Sequence, residues 1–175
     1  MNEADAHLLI VDDDERIRTL LQKFLMRHGF LVTSARDAAH ARRILAGLDF
    51  DLIVLDVMMP GEDGLSLTRS LREDMQTPIL LLTAKGETGN RIEGLEAGAD
   101  DFLTKPVDDT TLFARVRSLV RLKHMLEQWR LREATSERLG FMGEAVADLD
   151  KGTGADIVLV DDSTVQKESI IEALD

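Results

Sequence analysis

Apolar residues in this chain fall in short unbroken runs that alternate with stretches of helical period. The runs are LLIV at 8–11, FLVTSA at 30–35, DLIVL at 51–55, ILLL at 79–82 and DFLT at 101–104. Each has the length of a strand and lacks strict apolar–polar alternation, as expected where both faces of a sheet are covered. Between the first two runs, Ile17, Leu20, Leu21, Phe24 and Leu25 follow the i, i+3, i+4, i+7, i+8 spacing of one helical face, and Gly29 stands where that helix should stop. Further helices are predicted near 37–47, 64–74, 88–98 and from 109 onward. Five successive βα units predict an α/β fold built on a doubly wound, five-stranded parallel sheet.

In such a sheet a ligand binds beyond the carboxyl ends of the strands, at the point where the winding order reverses. The residues just past successive strands are Asp12 and Asp13 after the first, Asp56 after the third, Thr83 after the fourth and Lys105 after the fifth. Three carboxylates brought together repel one another and favour a positive partner. An all-oxygen donor set with open positions suits Mg²⁺, a hard cation that shares its shell with waters and phosphoryl oxygens. A carboxylate neutralised in this way can act as a nucleophile toward phosphorus and form an aspartyl phosphate. Lys105 would then face the incoming phosphoryl group as a point charge, and Thr83 would hydrogen-bond one of its oxygens. Asp14 reads instead as a helix cap, and Gly61 and Gly64 as turn residues.

Taken together, LLIVDDD, VLDVMMPGEDG, LLLTAKG and GADDFLTKP resemble the signature segments of two-component response-regulator receiver domains, in the same order, over about residues 7–122. The resemblance implies a flavodoxin-like sheet of order 2-1-3-4-5. It also implies that a histidine kinase or histidine phosphotransfer protein phosphorylates Asp56. Asp13, Asp56 and the backbone carbonyl of Met58 would bind Mg²⁺, with Asp12 assisting through a metal-bound water. Thr83 and Phe102 would form the switch pair, the hydroxyl moving toward the phosphoryl group while the aromatic ring turns inward. Lys105-Pro106 resembles the family's cis peptide bond, and Met58 and Lys85 stand where the family tunes the phosphoryl lifetime. A phosphorylation-dependent homodimer is the family expectation for the face of the fourth helix, fifth strand and fifth helix. Here that face mixes Arg91, Arg115, Arg117 and Arg121 with Glu93, Glu96, Asp100, Asp101, Asp108 and Asp109.

The segment DFLTKPVDDTTLFARVRSLVRLKHMLEQWRLREATSERLG is similar to the first receiver and linker of PleD-type diguanylate cyclase response regulators, in which two receivers precede a cyclase domain. From Asp109 to about Glu137 it reads as one long helix. Leu119, Leu122, Leu126 and Trp129 are spaced alternately by three and four, as in a short coiled-coil seam, which intramolecular packing would also explain. The closing stretch IVLVDDSTVQKESIIEALD repeats the layout of LLIVDDDERIRTLLQKFL. It is expected to be the start of a second, truncated receiver. The predicted organisation is a receiver at 1–122, a helical extension and linker at 123–155 and a βα tail at 156–175. Asp161 and Asp162 are expected to bind no Mg²⁺, because the matching acceptor strand is missing. No Gly-Gly-Asp/Glu-Glu-Phe motif occurs in the 175 residues, so any cyclase activity is expected to belong to a longer parent.

Composition narrows the remaining choices. A formal net charge of -12 opposes binding to nucleic acid or to an anionic membrane. The chain has no cysteine, which excludes disulfides and thiolate metal sites. The acidic start Met1-Asn2-Glu3-Ala4-Asp5 lacks the features of a signal peptide, and no apolar run is long enough to cross a bilayer. A cytoplasmic protein is expected. His7, His28, His40 and His124 lack metal-ligand spacing and read as surface or packing residues. Two other functions compete with the phosphoacceptor switch. One is a stand-alone receiver that acts by binding a partner. The other is a Mg²⁺-dependent aspartyl-phosphate phosphatase, which usually places an acid two residues after its nucleophile, where this chain has Met58.

Overall fold

The computed structural model describes residues 6–84 and 93–138. The elements are β1 (His7–Val11), α1 (Glu15–Arg27), β2 (Leu31–Ala35), α2 (Ala38–Leu45), β3 (Leu52–Asp56), α3 (Gly64–Asp74) and β4 (Ile79–Ala84). They are followed by α4, whose described part is 93–96, then β5 (Asp101–Lys105) and α5 (Asp109–Arg138). The strands pair in parallel in the order β2-β1-β3-β4-β5. Both the sheet and its order agree with the sequence reading. The predicted tail at 156–175, Lys85 and Arg91 lie outside the described residues.

Successive strand residues point to opposite faces, which is why the central runs are apolar without a break. On one face, Leu9, Ile53, Leu55 and Leu81 pack with Ala41, Leu67 and Leu71 of α2 and α3. On the other, Leu8, Ile10, Val54 and Leu80 meet Leu21 and Leu25 of α1 and Leu112 and Val116 of α5. Every residue of β3 is buried, whereas the edge strands β2 and β5 are only partly covered, which accounts for their polar residues.

Aspartates begin the helices that follow the first three strands. The Asp14 carboxylate accepts from the Arg16 and Ile17 amides, that of Asp37 from His40, and that of Asp63 from Ser66. Each satisfies amides that the helix cannot. Gly29, with φ 92°, turns the chain out of α1 as predicted.

The chain divides into two compact units, Met1–Arg130 and Leu131–Asp175; the described part of the second, residues 131–138, is helical. Within the first unit the proposed seam separates into two environments. Leu119 is buried in the core, while Leu122, Leu126 and Trp129 are 47%, 45% and 64% exposed.

At the edge of the sheet opposite the carboxyl ends, α5 is fastened to the buried carboxylate of Asp51. Lys123 Nζ donates to the Phe50 carbonyl at 2.7 Å and lies 3.2 Å from Asp51 Oδ1. His124 Nε2 is 3.1 Å from the same oxygen, and the His7 amide donates to Asp51 Oδ2 at 2.8 Å. Burial disfavours ionisation of Asp51, but the His7 amide and the Lys123 ammonium outweigh it and hold the carboxyl below its ordinary value. Spacing along the chain could not reveal this junction, because its members come from β1, the loop before β3, and α5.

Candidate functional site

The β1–β3 register pairs Val11 with Leu55, so the next residues, Asp12 and Asp56, stand side by side at the carboxyl edge. Carboxylate oxygens of Asp12, Asp13 and Asp56 lie within 4.8 Å of one another, with Asp12 and Asp56 buried and Asp13 exposed. Lys105, at the end of β5, reaches between the buried pair, with Nζ 2.8 Å from Asp12 Oδ2 and 2.9 Å from Asp56 Oδ2. The predicted gathering of these four residues is therefore observed.

The electrostatics of the cluster are unbalanced. Burial alone would lower the affinity of Lys105 for its proton, but the two carboxylates reverse this and raise its pKa. Asp56 moves in the less expected direction. Burial pushes its pKa up, the Lys105 hydrogen bond and charge oppose this, and Asp12 pushes up again, leaving the net value raised. The ion pair favours the charged form of Lys105 but not that of Asp56, because a single ammonium is shared between two buried carboxylates. It secures its own charge without fully compensating that of Asp56.

Thr83 is buried one position beyond Leu82, the residue paired with Asp56, and is itself paired with Thr104. Phe102, paired with Leu81, is partly buried and packs against the core layer beneath α2 and α3. The Met58 amide donates to Asp56 Oδ1 at 3.3 Å, so the loop after β3 turns back over the Asp56 carboxylate. Lys105-Pro106 is cis, as the resemblance implied.

Two features of the site lay beyond the sequence reading. Gly61, with φ 83°, serves the turn, and Gly64 begins α3, where the predicted 64–74 helix starts, but its steric role was not foreseen. A Cβ there would lie 2.2 Å from the Asp56 carbonyl oxygen, so the helix start sits directly against Asp56. Arg18, on α1, sends Nη1 back to the carbonyls of Asp12 and Asp13 at 2.7 and 2.9 Å. The only sequence signal for this was a basic residue one turn past an acidic cap.

Between α1 and the start of α5, beside Lys105, lies an apolar recess of about 320 Å³ lined by Ile17, Leu20, Leu82, Pro106 and Val107. A recess of about 420 Å³ at the opposite edge, lined in part by Phe50, Pro78, Leu122 and Lys123, is remote from the carboxylates. Among the described residues no helix is long and apolar enough to cross a membrane.

A five-stranded parallel sheet of this order, with acidic residues at the carboxyl ends of β1 and β3 and a lysine at that of β5, is the architecture of a regulatory receiver module. The response regulator receiver domain family matches residues 8–117, and the chain belongs to it. It is 71% identical over 121 residues to Protein PetR of Rhodobacter capsulatus, covering 69% of this chain and 51% of that protein. It is 44% identical over 172 residues to Response regulator PleD of Caulobacter vibrioides, covering 97% of this chain and 38% of that protein. The chain thus spans about half or less of these two relatives. Among solved structures, a Francisella response regulator receiver domain is 38% identical with a TM-score of 0.63, covering 66% of this chain and 97% of that one. Full-length FixJ from B. japonicum is 36% identical with a TM-score of 0.65, covering 70% of this chain and 61% of that one.

Proposed function

We propose that this receiver is a phosphoacceptor switch in which Asp56 takes a phosphoryl group from a phosphohistidine on a histidine kinase or histidine phosphotransfer protein. The observation that carries the reading is the shared Lys105 ammonium, which leaves buried Asp56 short of positive charge beside two further carboxylates. The donor set, carboxylate oxygens with one exposed member, fits Mg²⁺. Asp13 and Asp56 with the Met58 carbonyl would hold the ion, and Asp12 would assist through water. When bound, Mg²⁺ supplies charge neutralisation for the carboxylates and the phosphoryl oxygens.

An Asp56 carboxylate oxygen attacks phosphorus. The O–P bond forms as the donor's P–N bond breaks, and the departing imidazole keeps the electron pair and takes a proton. Lys105 pairs with a phosphoryl oxygen, Thr83 hydrogen-bonds another, and Phe102 turns inward behind the moving hydroxyl. The apolar recess beside Lys105 supports docking of the donor protein next to the acceptor.

The output is conformational, with association of two copies through the α4–β5–α5 face. Exposed Leu122, Leu126 and Trp129 on α5 support such an apolar contact. Similarity to PleD across 97% of this chain, including the region after the receiver, supports placing it as the cytoplasmic regulatory part of a PleD-like, cyclic-di-GMP-producing protein. Incubation with acetyl phosphate and Mg²⁺ is expected to add one phosphoryl group by intact mass, at Asp56. Full labelling of Asp56→Asn, or labelling unaffected by EDTA, would refute the assignment.

A further inference from the structure

We infer that Arg18 is a positioning residue for the acidic site, holding the loop after β1 so that Asp13 is presented to a divalent cation. The inference rests on the phosphoacceptor reading above and concerns how the chain prepares the metal-binding carboxylate.

The loop is constrained from three directions. The Asp12 amide donates to the Ala35 carbonyl at 3.2 Å, fixing the loop to β2. Asp12 Oδ1 accepts from the Asp14 amide at 2.9 Å, closing a short turn around Asp13. Arg18 Nη1 completes the set by donating to two consecutive carbonyls, Asp12 at 2.7 Å and Asp13 at 2.9 Å. The partly buried Asp12 carbonyl needs a donor, and α1 cannot supply one here, because its first amides face the Asp14 cap; the exposed Asp13 carbonyl is held by the same guanidinium in place of water. Fixing both carbonyls fixes the two peptide planes that flank Asp13. The Asp13 side chain is the exposed member of the carboxylate cluster and has little packing of its own to orient it. Without Arg18 its bearing would have to be ordered as the cation binds.

Charge makes the opposite demand, so the sign of the effect discriminates. A guanidinium close to the site repels a cation, and its removal through charge alone would tighten Mg²⁺ binding. Positioning predicts weaker binding, by about tenfold, the scale of ordering one residue's backbone.

The test uses the full 175-residue chain with Arg18→Met, which keeps the aliphatic stem, and Arg18→Lys, which keeps the charge and a donor. Mg²⁺ affinity is read by calorimetry and Mn²⁺ affinity by electron paramagnetic resonance, alongside circular dichroism and melting of the metal-free proteins. Arg18→Met is expected to bind both ions about tenfold more weakly than wild type, with Arg18→Lys between them. At saturating Mg²⁺ both variants should be phosphorylated at the wild-type rate, because the inference places Arg18 outside the reacting atoms. Binding by folded Arg18→Met as tight as wild type or tighter would overturn the inference, as would a rate deficit that saturating Mg²⁺ does not restore. Equal weakening in the two variants would overturn the hydrogen-bonding role. Failure of the wild-type chain to bind either ion would instead overturn the phosphoacceptor reading itself, and this inference with it.

Discussion

Gly64→Ala is expected to be costly even though alanine is the better helix former. An alanine Cβ at this position would lie 2.2 Å from the Asp56 carbonyl oxygen and 2.9 Å from Val57 Cα. Both obstacles are backbone in a fully buried strand and its exit, so neither can swing aside as a side chain would. Relief requires α3 to back away by about 1 Å, against the packing of Leu67 and Leu71 beneath it. Such overpacking costs about 1–3 kcal/mol or more, and the helix-propensity gain of about 0.5–1 kcal/mol offsets only part of it. A net loss of roughly 2 kcal/mol lowers the melting temperature by about 8 °C for a domain of this size. Urea titration of metal-free protein gives the free energy directly, and acetyl phosphate labelling should slow because the backbone of Asp56, the proposed acceptor, is displaced. Gly47→Ala is the control. It has no atom within 4 Å of its added Cβ and no positive φ, so it should be neutral or stabilising by up to about 1 kcal/mol. If Gly64→Ala were as stable as wild type while Gly47→Ala behaved as expected, the close approach of α3 to Asp56 would be wrong.

Two buried aspartates should pull stability in opposite directions with pH. The Asp51 carboxyl is held below its ordinary value of 3.8, so its contribution is fully present above that value and disappears as pH falls through the depressed folded pKa. Asp51→Ala should therefore cost about 3 kcal/mol at pH 7, as for a broken buried pair, and the difference from wild type should shrink below pH 3.8. Asp56 is raised from 3.8, so its ionisation destabilises the metal-free fold as pH climbs from that value through the folded pKa. Asp56→Asn should melt higher than wild type at pH 7 without Mg²⁺, and equal or lower melting would contradict the charge crowding. Trp129, 64% exposed on α5, should keep its emission on addition of Mg²⁺ alone and change only when beryllofluoride drives association; strong quenching by Mg²⁺ of monomeric protein would contradict its position.

The sequence discloses what is repeated and local. Strands such as Leu52–Asp56 announce themselves because burial on both faces removes polar residues, and Asp12, Asp13, Asp56, Thr83 and Lys105 follow directly because each stands at or beside a strand's carboxyl end. Asp14 was readable as a cap because capping is settled within three residues. The His7–Asp51–Lys123–His124 junction was not, since its members lie far apart in the chain and no periodicity links them. Leu119 shares the spacing of Leu122 and Leu126, yet only the contact with the sheet decides that it faces the core and they do not. Gly64 resembled a turn residue because its function is steric room, which a letter in a sequence does not express.

The junction at Asp51 also marks where this receiver can be cut and joined to something else. A graft spliced at residue 117, where the family match ends, would discard Lys123 and His124 and strand a buried carboxylate. One spliced after His124 would carry the anchor with it. From there the chain continues as α-helix to Arg138, and each residue inserted or removed rotates whatever follows by about 100°. A ladder of fusions differing by single residues past His124 would then work as an angular dial, with the coupling of any attached output rising and falling at the period of the helix.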